Sequence, residues 1–379
     1  MLFYAAASAA TALSVNFATF AACRFFTGMG IGGEYAAINS AIDELIPARM
    51  RGKVDLAING SYWVGAALGA VVSSVFLDPA VLGHRWGWRA AFGLGAVLSP
   101  AILVMRHFVP ESPRWLMVHG RHRAAEAIVR DIETNHAHRV TDPAPLRTIR
   151  IAVGRRFGLA DVAGIVLTQY RSRAVFCLSL MIAQAFFYNA IFFTYALTLT
   201  RFYGVLPEHV GSFILPFALG NLLGPLVLGH FFDTIGRKKM IAFTYGTSGL
   251  LLLLTGYWFD QGLLTSATHA LMWSASFFFA SAAASSAYLT VSELFPLEIR
   301  ALAIALFYAV GTGTGGLLAP ALFGKLIESG SRRALFAGYA VAAALMVGAA
   351  AITLVLGVAA EGRALEDIAA PLSALDRDS

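Results

Sequence analysis

Two short strings carry the most chemistry per residue in this chain: Glu44-Leu-Ile-Pro47-Ala-Arg49-Met-Arg51 and Glu293-Leu-Phe-Pro296-Leu-Glu-Ile-Arg300. Each closes a long apolar run with an acid, a proline three residues on and a guanidinium seven residues on. Proline lacks an N–H and its ring collides with the preceding turn, so each string should end a helix. The carboxylate is left near a helix C-terminus, where the dipole disfavours negative charge and a cationic partner is needed. Reversible ion pairing is the chemistry on offer. No H-E-x-x-H, Cys/His ligand spacing or nucleophile–base constellation accompanies the strings, so neither an enzyme nor a metal or cofactor site is expected. Five of the nine histidines fall between 107 and 138, His136 and His138 among them, and read as solvated. Cys23 and Cys177 lie inside apolar runs and offer no disulfide framework.

Two further ionisable groups stand inside apolar sequence, where a charge is costly and therefore a functional suspect. Arg24 lies 20 residues before Glu44, roughly 30 Å along a helix, and Glu34 lies ten before it, about 15 Å. Glu34 is thus placed near the middle of a membrane, where a carboxyl is cheaper to hold protonated than charged. It suits a proton carrier, or a carboxylate locked in a permanent hydrogen-bond cluster beside Tyr35.

The elements that must position these groups are apolar helices. The chain has 379 residues, 58% hydrophobic and only 13% charged, against about 25% charged in soluble domains. A spanning helix needs about 20 apolar residues. Nine stretches qualify, near 19–45, 53–77, 88–108, 174–200, 208–232, 239–259, 265–292, 299–327 and 333–358, with a shorter run at 1–14. The net charge of +6 is carried by residues that bracket these runs, so a lipid bilayer rather than nucleic acid is the expected partner. Arg49, Arg51 and Lys53, then Arg237, Lys238 and Lys239, then Arg300 occupy short joints on one side. Eleven arginines in 109–173 lie on that same side, which is expected to be cytoplasmic.

Glu44 and Glu293 are 249 residues apart, and Glu111 of Pro110-Glu-Ser-Pro-Arg114 finds a partner 250 residues on at Glu361 of Ala359-Ala-Glu-Gly-Arg363. Two landmarks at one offset indicate two halves with the same helix order. The offset sets partners of 174–200 and 208–232 before Met1, so the first half is expected to lack about two helices. The expected architecture is all-α, a polytopic membrane bundle with about 10 of 12 transmembrane helices. Its parts are an incomplete N-terminal half-bundle (1–108), a cytoplasmic connecting segment with amphipathic helices (109–173), a six-helix half-bundle (174–360) and a cytoplasmic tail (361–379).

Nearly the whole chain resembles the major facilitator superfamily. Asp233-Thr-Ile-Gly236-Arg237-Lys238-Lys239 is similar to its D-x-x-G-R-[RK] turn, and Arg24-Phe-Phe-Thr-Gly28 to the R-x-x-x-G of its fourth helix. Pro110-Glu-Ser-Pro-Arg114-Trp-Leu and the terminal Glu361-Gly-Arg-Ala-Leu-Glu-Asp-Ile368 resemble sugar-porter signatures. Gly32-Gly-Glu-Tyr35 is closer to the metabolite:proton symporter branch. The resemblance implies that Glu44 pairs with Arg300 and Glu293 with Arg51 across the halves, closing the cytoplasmic mouth with Arg114, Asp233 and Arg237. It implies a proton-coupling role for Arg24, whose counterpart in sugar porters faces an Asp on the first helix. Gln184 and Asn189 match half of the family's sugar-binding pattern. Asn59 and Tyr288 fall where sugar porters place a Gln and often a Trp. Interhelical hydrogen bonding is the other role open to these amides.

These features together imply secondary transport of a small polar metabolite, a sugar or an organic acid, by alternating access with proton symport. The expected setting is the plasma membrane, with a cytoplasmic C-terminus and a monomeric chain. Carriage of an organic anion on Arg24, or a non-transporting sensor or inactive fragment built on the same fold, are the alternatives.

Overall fold

The computed structural model describes residues 2–106, 110–118, 120–136, 157–206 and 209–373. Among them every regular element is a helix. The first half holds α1 (Leu2–Ala12), α2 (Phe17–Leu45), α3 (Arg51–Gly60), α4 (Tyr62–Phe76) and α5 (Pro79–Arg106). Two short helices, α6 (Pro113–Val118) and α7 (His122–His136), and then α8 (Leu159–Thr168) lead to the second half. That half comprises α9 (Arg171–Ile191), α10 (Tyr195–Tyr203), α11 (Val210–Thr234), α12 (Arg237–Asp260), α13 (Ser266–Leu294), α14 (Leu297–Glu328) and α15 (Arg332–Leu356), and α16 (Leu365–Ile368) lies in the tail.

Among the described residues, seven helical stretches are long and apolar enough to cross a membrane: 51–73, 171–191, 210–234, 237–260, 266–294, 297–328 and 332–356. α2 and α5, with 29 and 28 residues, have the length for a hydrocarbon core of about 30 Å. The sequence-expected boundaries move where local chemistry intervenes. The run at 174–200 is broken by a turn at 192–194 into α9 and α10. The run at 88–108 begins at Pro79 and bends at Gly83, whose φ of 66° only glycine adopts without strain. In the connecting segment α6 opens with Ser112 Oγ accepting from Trp115 N at 3.0 Å. It then stops, and Gly120 (φ 75°) separates α6 from α7.

Within the second half, α9 packs on α14 and α15, α12 on α15, and α11 on α13. Glycines permit the close approaches. A Cβ on Gly224 of α11 would meet the Phe278 carbonyl oxygen of α13 at 1.8 Å, and one on Gly315 of α14 would meet Phe186 N of α9 at 2.5 Å. Both glycines therefore serve packing. The two halves meet where α3 and α4 lie against α11, and α2 against α14.

Candidate functional site

The residue before a proline is pushed into extended backbone, and both acid–proline–base strings obey. Ile46 (φ −95°, ψ 132°) ends α2, and Phe295 (φ −116°, ψ 146°) ends α13. Each acid thus sits in the last turn of one helix, and each string's final arginine in the first turn of the next.

Those four side chains converge at one end of the seam between the halves, together with the Asp233–Arg237 turn. Glu293 is 1% exposed and is the centre of the cluster. Its Oε1 accepts from Arg51 Nη1 at 3.3 Å and from Arg237 Nη2 at 3.1 Å, and its Oε2 accepts from Arg237 Nε at 3.1 Å. Arg237 also donates from Nη1 to Asp233 Oδ1 at 2.9 Å and to the Phe232 carbonyl at 2.8 Å. Asp233 in turn accepts from the backbone N–H groups of Gly52 (3.0 Å) and Lys53 (2.8 Å). A carboxylate from the second half therefore caps the first turn of α3 in the first half, where the helix dipole favours negative charge. The symmetric pair is looser: Arg300 Nη1 stands 3.9 Å from Glu44 Oε1, which also accepts from Ser40 Oγ at 3.3 Å. Removing one member of so buried a set strands charge without solvent, at a cost of roughly 3–5 kcal/mol.

Arg114 binds in two directions. Its Nη1 donates to the Glu44 carbonyl oxygen at 2.9 Å, and its Nε to Glu366 Oε1 of α16 at 2.7 Å. Burial alone would raise the Glu366 carboxyl, but the Arg114 guanidinium beside it, a backbone hydrogen bond and Arg300 prevail and hold it below the usual carboxylate range. The tail is fastened at further points. Glu361 Oε2 accepts from Arg237 N at 3.2 Å, and Arg173 Nη2 donates to the Ile368 carbonyl at 2.8 Å. Glu298 accepts from the Leu372 and Ser373 N–H groups at 3.1 and 2.9 Å. Glu298 and Glu366 were not singled out from the sequence. Glu366 lies in the terminal motif and Glu298 inside the second acid–proline–base string, which name the segments and not their contacts.

Farther along the seam a cavity of about 260 Å³ contains all four residues expected to bind substrate: Asn59 from α3, Gln184 and Asn189 from α9, and Tyr288 from α13. The aromatic residues Tyr62, Trp63, Tyr188 and Tyr308 line it as well. Trp63 spans the seam, its ring 5.2 Å from Phe192 and 5.5 Å from Phe217, both of the second half. Tyr188 donates to Asn221 Oδ1 at 2.9 Å. Among the described residues, no Lys, Arg, His, Asp or Glu lines the cavity. Its volume is near the lower end of the ~300–1,000 Å³ of small-molecule sites. A larger groove, about 750 Å³, lies away from it between α6, α7 and the tail.

Of the two expected coupling residues, Arg24 lies apart from both clusters. Arg24 is exposed on α2, with its guanidinium carbon 5.3 Å from the centre of the Phe92 ring of α5. Arg24 does not line the cavity, so the anion-binding role considered for it has no support from its placement. Glu34 belongs to α2, and its side chain lies outside the described residues.

Two helical halves joined by a basic segment, with a polar cavity between them, define the major facilitator fold. The proton:xylose symporter XylE bound to 6-bromo-6-deoxy-D-glucose superposes with a TM-score of 0.75 at 20% identity, over 97% of this chain and 80% of that one. A partially occluded inward-open form of XylE from E. coli scores 0.61 at 19% identity, covering 92% of this chain and 78% of that one. The chain belongs to the sugar (and other) transporter family, whose model matches residues 1–371. It is a multi-pass membrane transporter, not an enzyme.

Among its relatives, the niacin transporter NiaP of Acinetobacter baylyi is 25% identical over 97% of this chain and 79% of its own length. Myo-inositol transporter 2 of Schizosaccharomyces pombe is 27% identical over 86% of this chain and 61% of its own. The 4-hydroxybenzoate transporter PcaK of Acinetobacter baylyi is 25% identical over 82% of this chain and 65% of its own.

Proposed function

We infer that this protein is a proton-coupled carrier of a neutral, polyhydroxylated metabolite the size of a six-membered ring. It works by alternating access in the plasma membrane, with ten crossings, a cytoplasmic C-terminus and a monomeric chain. The observation that carries the substrate reading is a cavity lined by amides, hydroxyls and phenols, with no ionised side chain among the described residues. Amides and phenols exchange hydrogen bonds with hydroxyls, and aromatic faces cover the apolar face of a ring. A carboxylate brought there would leave water without a cation to meet it.

The cluster around Glu293 is the cytoplasmic gate. Its bonds join the halves while the cavity is closed from below, and they must break when the halves rock apart. Symport to proton:xylose symporter likeness, and inositol to the names of relatives, lend further support. The relatives named for niacin and 4-hydroxybenzoate favour an organic-acid cargo instead.

Proteoliposomes separate these. Labelled myo-inositol should accumulate under an inward proton gradient, saturate, and be released by a protonophore, while excess nicotinate or 4-hydroxybenzoate should not compete. Gradient-driven uptake of either acid with no uptake of myo-inositol would overturn the neutral-substrate reading.

A further inference from the structure

Asn221 of α11 is fully buried and lies outside the cavity lining, yet it governs a group that belongs to that lining. Its side-chain amide makes two bonds. Nδ2 donates to the Phe217 carbonyl oxygen, one turn back on α11, at 2.9 Å, and Oδ1 accepts from the Tyr188 hydroxyl of α9 at 2.9 Å. A backbone carbonyl oxygen can only accept, so the NH₂ end of the amide has to face Phe217. Turning the amide over would press Oδ1 against that carbonyl with no proton between the two oxygens, in a place where no water relieves the repulsion. Oδ1 is therefore the end that meets Tyr188. A phenol has one proton to donate, and this one is committed to Asn221. Any further partner of the Tyr188 oxygen has to be a donor.

The Tyr188 ring is wedged in place. Phe277 meets it edge-on at 4.9 Å, and Trp63 of the other half lies 6.1 Å away, tilted by 31°. Two other lining groups are polarised in the same sense. Asn59, from the first half, gives both amide protons away, to Asn39 Oδ1 at 3.0 Å and to the Asp55 carbonyl oxygen at 3.1 Å, which leaves its own Oδ1 as an acceptor. Ser285 of α13 donates its hydroxyl to the Ser281 carbonyl oxygen at 2.9 Å. Acceptor groups from both halves thus line one cavity.

We infer that Asn221 is a positioning residue for substrate selection: by taking the Tyr188 proton it makes the phenol an obligate acceptor, and the cargo has to present a hydroxyl donor to it. The inference rests on the polyol reading above and sharpens it. A site built to receive an O–H rejects an analogue that lacks one, because the protein oxygen is then left desolvated and unpaired. A ketone fares no better than a plain methylene at that position, since its oxygen meets another acceptor. Asn59 and Ser285 extend the same demand to other hydroxyls of the ring.

Competition in proteoliposomes tests this, with labelled myo-inositol as the transported probe. The competitors are its single-ketone and single-deoxy analogues, one of each for every ring position. At one or more positions the ketone and the deoxy analogue are expected to compete alike, each roughly tenfold more weakly than unlabelled myo-inositol. In Asn221→Leu the phenol proton is released to the cavity, and the ketone at that position should return to within about threefold of myo-inositol while the deoxy analogue stays weak. In Tyr188→Phe both analogues should come within about threefold. Ketones that compete as well as myo-inositol at every position overturn the proposal. A ketone penalty unchanged in Asn221→Leu, or in Tyr188→Phe where the first variant misfolds, does the same.

A second measurement needs no cargo. Infrared spectra are recorded on the purified chain with asparagine isotope-labelled at the side-chain carbonyl, which absorbs at higher frequency once it loses a hydrogen bond. Tyr188→Phe is expected to raise one labelled carbonyl band, and to raise none in the Asn221→Leu background. Absence of that rise overturns the assignment of Oδ1 to Tyr188. Failure of the wild type to take up myo-inositol counts against the polyol reading alone, because the labelled band still decides the polarity of Tyr188.

Discussion

Glu293→Gln isolates the gate. The carboxylate receives three hydrogen bonds of 3.1–3.3 Å from two guanidinium groups that are 2–3% exposed. The amide keeps the shape, removes the charge, and turns an N–H₂ towards one of the arginines. Taking the lower end of the cost of breaking a buried pair, ~3 kcal/mol, the closed state loses about two decades against an open state in which the arginines reach water. A closed population of roughly 99% then falls to near one half. Ser285 lines the cavity, and Ser285→Cys in a background without Cys23 and Cys177 reports the opening. In inside-out vesicles an impermeant thiol reagent reaches that cysteine only through the cytoplasmic mouth. Labelling should accelerate on the order of 50-fold in Glu293→Gln, with monodispersity in detergent confirming the fold. An acceleration below about threefold in a well-folded variant would refute the assignment of this cluster as the latch.

The companion pair should respond more weakly. Glu44→Gln and Arg300→Gln each raise the same labelling rate, by less than Glu293→Gln, because their contact is 3.9 Å. Asn59→Ala and Gln184→Ala should each raise the half-saturating myo-inositol concentration by roughly tenfold, the worth of about one hydrogen bond, without changing gate labelling. The Arg114–Glu366 pair predicts an acid-side loss of stability. Its carboxyl is held below the ordinary range, so the stabilisation is complete above the unfolded carboxylate pKa of ~4.3 and vanishes as pH falls through the lower folded value. With both side chains partly exposed the effect is at most ~1 kcal/mol. Thermal unfolding in detergent should show Glu366→Gln less stable than wild type at pH 7 and equal to it in strong acid.

Helix ends at Pro47 and Pro296 were legible because a proline acts on the turn beside it, and the duplicated string was legible as a repeat. The partnership of Glu293 with Arg51 followed from symmetry and resemblance, and the structure sets the two atoms 3.3 Å apart. Arg237 as the second cation on Glu293 was visible only as a motif member, since nothing local ties α12 to α13. The turn at 192–194 escaped because Ile191-Phe-Phe-Thr194 is as apolar as the helices it interrupts. Tyr62, Trp63 and Tyr308 were passed over for a different reason: aromatic residues in a membrane chain usually pack, and only the approach of the opposite half turns these towards a cavity.

The anchorage of the tail bears on how the protein is handled. Ser373 and Leu372 lie against Glu298, the second residue of α14, and the preceding turn holds Arg114 and Arg173. A fluorescent fusion or affinity tag spliced in place of residues 361–373 would strip those fastenings and bias the carrier towards its open form. Tags joined after Ser373 through a flexible linker leave them whole, so kinetic comparisons between fusions are meaningful only with that junction held constant.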